Sequence, residues 1–196
     1  MRVACRIMRS RNAAVVAFGA VSAMTLLCHT HVVAAQSAFS VSSPDLAPGK
    51  PVSRELLFNE SECKGGNRSP QIAWRGAPAQ TRSFAVTIFD PDAPGRGWWH
   101  WAVAGIPASV THLSANASAS GALHKLGAVE ARNDWGTDGY GGPCPPPGKA
   151  HRYVVTVYAL NDEDLRLRQG TPALMFEHEI RTMAIASAQL TFTVGR

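Results

Sequence analysis

The chain has 196 residues, with 19 Lys and Arg against 14 Asp and Glu, and so looks basic. The excess sits at one end: Arg2, Arg6, Arg9 and Arg11 all precede the first acid, Asp45, which leaves residues 36–196 with 15 cations against 14 anions. That near-balance removes the electrostatic case for a nucleic-acid partner, and no run after residue 35 is apolar enough to cross a bilayer.

Residues 1–35 read as a secretory signal peptide. The arginines form a positive n-region, AAVVAFGAVSAMTLLC (13–28) supplies the apolar run, and Val33-Ala34-Ala35 fits a small-residue cleavage site. The apolar run is short for a membrane span. Cys28 ends the run, but Leu27 stands where a lipoprotein signal needs a small residue. The expected product, residues 36–196, is a single domain, periplasmic or secreted, that is not an integral membrane protein. About 161 residues suffice for a full-sized core. Cleavage would leave only Cys63 and Cys144. An isolated pair in an oxidising compartment predicts a disulfide; two unrelated buried thiols are the alternative. Neither cysteine has zinc-ligand spacing, and no metal is expected.

In chain order, FSVSS (39–43) is a weak strand candidate and SFAVTIFD (83–90) a strong, almost continuously apolar one. HWAVAGI (100–106) is another, AVEARND (128–134) is weak, and HRYVVTVYAL (151–160) is β-branched and aromatic. A helix is predicted after Thr171, with Thr171 as cap, Pro172 in the first turn, and Phe176, Ile180, Met183 and Ala184 on one core-facing side. QLTFTV (189–194) alternates as a last strand. Residues 107–150 carry little pattern, and loops that long in a compact domain tend to be functional. Together these predict a mainly β domain, a sandwich or pair of large antiparallel sheets with a late amphipathic helix at its margin.

The chemistry concentrates at strand ends. In FDPDAPGRGWWHW (89–101), Asp90 closes one strand and His100 opens the next. In GYGGPCPPPGKAHRY (139–153), Gly141 and Gly142 allow close backbone approach, the prolines stiffen the loop, and His151 and Tyr153 share one face of a strand. If the two loops meet, Asp90, His100, His151 and Tyr153 surround one cleft. As a bland alternative, Asp90 and Asp92 are turn-formers that bond their own backbone. Trp98, Trp99 and Trp101 read as core and pocket-wall aromatics, and His112, His124 and His178 as surface residues.

Five ordered blocks, CKGGNRSPQIAWRGAP, SFAVTIFDPDAP, WWHWAVAGIPA, RNDWGTDGYGGPCPPPG and HRYVVTVYAL, carry a resemblance. They make the sequence similar to the phosphatidylethanolamine-binding proteins, in particular their bacterial, Raf-kinase-inhibitor-like branch. The resemblance implies a β-sandwich-like fold with a small preformed pocket for phosphate-containing anions, phosphoethanolamine-type head groups among them, and no cofactor. Carried over by position, Asp90, Asp92, Pro94, His100, Gly142, Pro143, His151 and Tyr153 would form the anion site. The resemblance also implies a cis bond at Ala93-Pro94. Animal members carry a further helix after the last strand, where this sequence stops at Arg196, so kinase inhibition of their kind is poorly supported.

A carboxylate beside a phosphate would repel it. Asp90 is therefore expected to accept an N–H from His100 or His151 and fix the tautomer, so that the other ring nitrogen donates to a phosphoryl oxygen with help from Tyr153 and loop amides. A carboxylate facing the ammonium of a zwitterionic head group is the second possibility. Two other classes stay open: a weak hydrolase using His/Asp acid–base chemistry and water, since no GxSxG elbow exists, and a protease or kinase inhibitor binding an unidentified protein through the pocket rim. Two Asp and two His also invite a divalent metal, but their spacing follows no common ligand motif.

Overall fold

A computed structural model describes residues 38–196. The predicted signal peptide and its cleavage site lie outside the described residues. Strands β1 (Ser40–Ser42), β2 (Ile72–Arg75) and β5 (His112–Leu113) form one antiparallel sheet in the order β1-β2-β5. The second is antiparallel too, ordered β6-β4-β3-β7-β8, from β3 (Ser83–Asp90), β4 (Trp98–Pro107), β6 (Val129–Glu130), β7 (His151–Leu160) and β8 (Ala184–Val194). Helices α1 (Ala122–Lys125) and α2 (Ala173–Met183) and a 3-10 turn at Arg54–Leu56 complete the described elements. The fold is mainly β, as expected.

The near-continuous apolarity of β3 follows from its place at the centre of the larger sheet, covered on both faces. Val86 and Ile88 point into the core between the sheets with Ile72, Trp74, Trp101, Val155 and Phe192. Ala85 points the other way, and with Ala102, Ala104 and Leu160 it packs against Phe176 and Ile180 of α2. Alanines at those sheet positions let the helix backbone approach closely. The alternating burial of β8 reflects one covered face, with Phe192 and Val194 in the core and the residue between them exposed.

Several boundaries differ from expectation. Pro172, not Thr171, occupies the N-cap of α2, and no side chain caps that end. The Thr171 carbonyl accepts from Arg132 N, and Arg132 O in turn accepts from Ala173 N, so a short bridge to residue 132 fixes the helix start instead. Ala184 belongs to β8, which starts before the predicted 189 because Ala184, Ala186, Ser187 and Ala188 pair with β7. β2 had no recognisable strand pattern; it lies between β1 and β5.

No cis peptide bond occurs among the described residues, so Ala93-Pro94 is trans, contrary to expectation. The chain reverses by other means. Asp90 Oδ1 accepts the amides of Asp92 (2.8 Å) and Ala93 (3.1 Å), an Asx-type turn. Gly97 follows at φ 81°, with the Phe89 ring and the Asp90 carbonyl lying where a Cβ would stand. Cys63 and Cys144 are joined as a disulfide, with Cα atoms 5.8 Å apart.

Candidate functional site

The C-terminal end of β3, the start of β4, the start of β7 and the loop before β7 converge on one pocket of about 140 Å³. Asp90, the last residue of β3, is 3% exposed. While its Oδ1 holds the turn, its Oδ2 accepts from His151 Nδ1 at 2.8 Å. His151 opens β7 and is 5% exposed, so the pair is shielded from water. The carboxylate thus fixes Nδ1–H as the donor and leaves Nε2 for a ligand.

His100, on β4, is held differently. Its Nδ1 donates to the Gly141 carbonyl at 2.7 Å, and the Gly141 amide returns a bond to the His100 carbonyl at 2.8 Å. Burial drives the His100 pKa down to about 4, against the opposing pull of Gly141 and of the Asp90 charge. At neutral pH His100 is therefore uncharged, and with Nδ1 protonated its Nε2 is an acceptor. Tyr153, two residues beyond His151 on the same face, places its ring edge-on to His100 at 5.1 Å and stacks on Phe192 at 5.2 Å. Burial and the Asp90 charge push the Tyr153 phenol above its ordinary range, so it stays a neutral hydroxyl.

Aromatic rings build the rest of the wall. Trp98 meets Trp135 edge-on at 5.0 Å, and Trp135 stacks on Phe58 at 4.2 Å. Trp135 Nε1 donates to the Gly142 carbonyl at 3.2 Å. The Trp98 indole N–H is buried without a hydrogen-bond partner. A buried unpaired donor is costly, and Trp98 lines the pocket. No Lys or Arg is among the lining residues.

Of the residues expected from sequence, Asp90, Pro94, His100, His151 and Tyr153 come together on the lining; Asp92, Gly142 and Pro143 do not. Asp92 turns to Arg152. Its Oδ2 accepts Arg152 N at 2.8 Å and Nε at 2.9 Å, and its Oδ1 accepts Nη2 at 2.7 Å. The guanidinium holds the Asp92 carboxyl well below the usual carboxylate range. Asp92 is thus a clamp between the DPDAP loop and β7.

Gly141 and Gly142 are glycines because protein, not ligand, comes close. A Cβ on Gly141 would strike the Trp135 ring, and one on Gly142 the Leu56 carbonyl. The Gly142 amide donates to Asn67 Oδ1 at 2.7 Å, and the Pro143 carbonyl accepts from Phe58 N at 3.1 Å. These amides are occupied within the protein rather than offered to an anion.

The lining also includes Ala93, Trp135, Cys144 and Pro146. All lie inside the quoted blocks, but their side chains carry no charge pattern that would have singled them out. Trp99 packs on Phe89 at 4.4 Å. Trp101 is a core residue, its Nε1 donating to Glu130 Oε1 at 2.7 Å. His112, His124 and His178 are exposed. Among the described residues no group of three or more His, Cys, Asp or Glu could hold a metal, and no helix is long and apolar enough to cross a membrane.

The family model for phosphatidylethanolamine-binding protein matches residues 42–195. The chain belongs to the phosphatidylethanolamine-binding protein family. Family relatives include protein YbcL of Escherichia coli (strain K12), 41% identical over 170 residues, which are 85% of this chain and 93% of YbcL. LppC of Mycobacterium tuberculosis, by name a candidate lipoprotein, is 33% identical over 156 residues, 79% of this chain and 71% of its own. The crystal structure of YbcL, described as a new member of the mammalian family, superposes with a TM-score of 0.78 at 39% identity, covering 82% of this chain and 99% of YbcL. The family homologue CT736 of Chlamydia trachomatis gives 0.68 at 27% identity, covering 81% of this chain and 98% of its own.

Proposed function

We propose that this protein is an exported binding protein whose pocket takes a phosphate-containing anion of the phosphoethanolamine type. The carrying observation is the pair of buried imidazoles, each fixed through Nδ1, on the lining of one pocket. His151 donates its Nδ1–H to Asp90 and leaves Nε2 for the ligand. His100, its Nδ1 donating to Gly141 and its charge suppressed by burial, presents an acceptor. Two ring nitrogens held in fixed orientation within an aromatic enclosure suit a ligand with a proton-bearing group, as a zwitterionic head group has.

The family supports the class of ligand. The Cys63–Cys144 disulfide, the arginine-led apolar leader and the kinship to LppC support export. No serine or threonine lines the pocket, and the Cys144 sulfur is bonded to Cys63. The lining therefore favours holding a ligand over attack by a side chain.

Phosphorus NMR of phosphoethanolamine mixed with the protein tests the reading. The resonance should broaden or shift with native protein and recover its free form with His151→Gln. A resonance indifferent to the native protein would end the proposal.

A further inference from the structure

The outer wall of the pocket comes from residues 144–150, CPPPGKA, through Cys144 and Pro146. Three consecutive prolines have no N–H, so this stretch can donate few backbone bonds. Its backbone is tied by Arg196, whose Nε donates to the Pro145 carbonyl at 2.8 Å and whose carbonyl accepts from Gly148 N at 3.1 Å. The covalent tie is Cys144 to Cys63.

Cys63 sits in a constrained loop. Ser61, Lys64 and Asn67, none of them glycine, adopt φ of 56°, 46° and 50°, the left-handed region that side chains disfavour. Asn67 of this loop also donates to the Tyr140 carbonyl and accepts from Gly142 N. Glu62 of the same loop pairs with Arg196 at 3.0 Å. Loop 59–67 and the pocket wall are thus fastened as one body, with the disulfide at its centre. Both cysteines are only partly buried.

We propose that the Cys63–Cys144 disulfide is the positioning element of the pocket, so that its reduction weakens ligand binding and bound ligand protects it from reduction. This rests on the reading of the pocket as a ligand site. A dithiol reductant supplies two electrons and two protons; the S–S bond breaks, Cys63 and Cys144 become thiols, and the reductant closes to its own disulfide. Freed of the bond, the disfavoured conformations of loop 59–67 relax, and Cys144 and Pro146 lose their fixed place beside His151. Linkage then requires the two effects to be equal in size.

The test measures phosphoethanolamine affinity of the full protein, oxidised and dithiol-reduced, together with the disulfide's redox midpoint with and without saturating phosphoethanolamine. Affinity should fall at least tenfold on reduction, and ligand should move the midpoint toward more reducing potentials by about 30 mV for each tenfold. A merely stabilising disulfide would leave the midpoint indifferent to ligand. Hydrogen exchange of ligand-free protein separates this inference from the head-group reading. Reduction should speed exchange at the Gly141 and Gly142 amides while β3 and β7 amides stay protected. Unchanged exchange at those glycines, or equal affinity in both redox states, overturns the inference. Faster exchange in a protein that binds no phosphoethanolamine when oxidised sustains wall positioning and removes the head-group reading instead. A Cys63→Ser, Cys144→Ser double variant should behave as the reduced protein does.

Discussion

His100 is 2% exposed and carries a pKa near 4, which couples the fold to pH. The unfolded chain takes up a proton at this residue below about 6.5, while the folded chain resists until about 4. Between those values the unfolded state binds more protons, so acid shifts the balance toward it. The stability that burial of the neutral ring contributes is fully present above pH 6.5 and lost as the pH falls to 4. Denaturant midpoints of native protein and His100→Gln across that window should diverge, with the variant showing the shallower acid loss. At the same scale, Asp90→Asn leaves one carbonyl oxygen where the turn amides and His151 Nδ1 each need an acceptor, so the His151 tautomer or the turn is no longer held. Phosphoethanolamine affinity should drop at least tenfold with little change in the far-ultraviolet circular dichroism spectrum.

At the scale of elements, the DPDAP loop is secured twice, by Asp90 through its own turn and by Asp92 through Arg152. The second fastening is at the surface, with the Arg152 side chain 64% exposed, so it should add little to global stability. Asp92→Ala should therefore leave the melting temperature nearly unchanged while loosening the loop and weakening ligand binding, and the loss should shrink in high salt as native binding weakens too. The α2 packing tests the opposite case. Ala102 faces Phe176 and Ile180 at zero exposure, and Ala102→Leu should destabilise by about 1–3 kcal/mol by overpacking, visible in thermal denaturation with no shift in ligand affinity.

Elements also differ in how plainly their residues announce them. β3 and β7 match their predicted bounds because their β-branched and aromatic runs end sharply at turn residues, whereas β4 starts at Trp98, two residues before the expected 100. The first half of β8 was hidden because Ala184, Ala186 and Ala188 have weak strand preference, and pairing with β7 decides the matter. Within the site, the Asp90–His151 contact was among the expected ones. The departure of Asp92 was not, because Arg152 lies 60 residues away and nothing local marks it as a partner. The role of Gly142 is hidden for the same reason, since the Leu56 backbone it packs against is far off in the chain.

For the whole molecule, two sheets and one flanking helix support a pocket at the strand ends, where loops rather than ladders supply the chemistry. The disulfide closes across a sequence separation of 81 residues, and on the chain-entropy account a loop of that size contributes about 4–5 kcal/mol. Calorimetric titration of the purified, oxidised protein with phosphoethanolamine, beside His151→Gln and Asp90→Asn, tests the central claim most directly. Saturable one-site binding that both substitutions weaken at least tenfold is the predicted result. Absence of binding, or binding that ignores both substitutions, would contradict the assignment of an anion to the Asp90–His151 pocket.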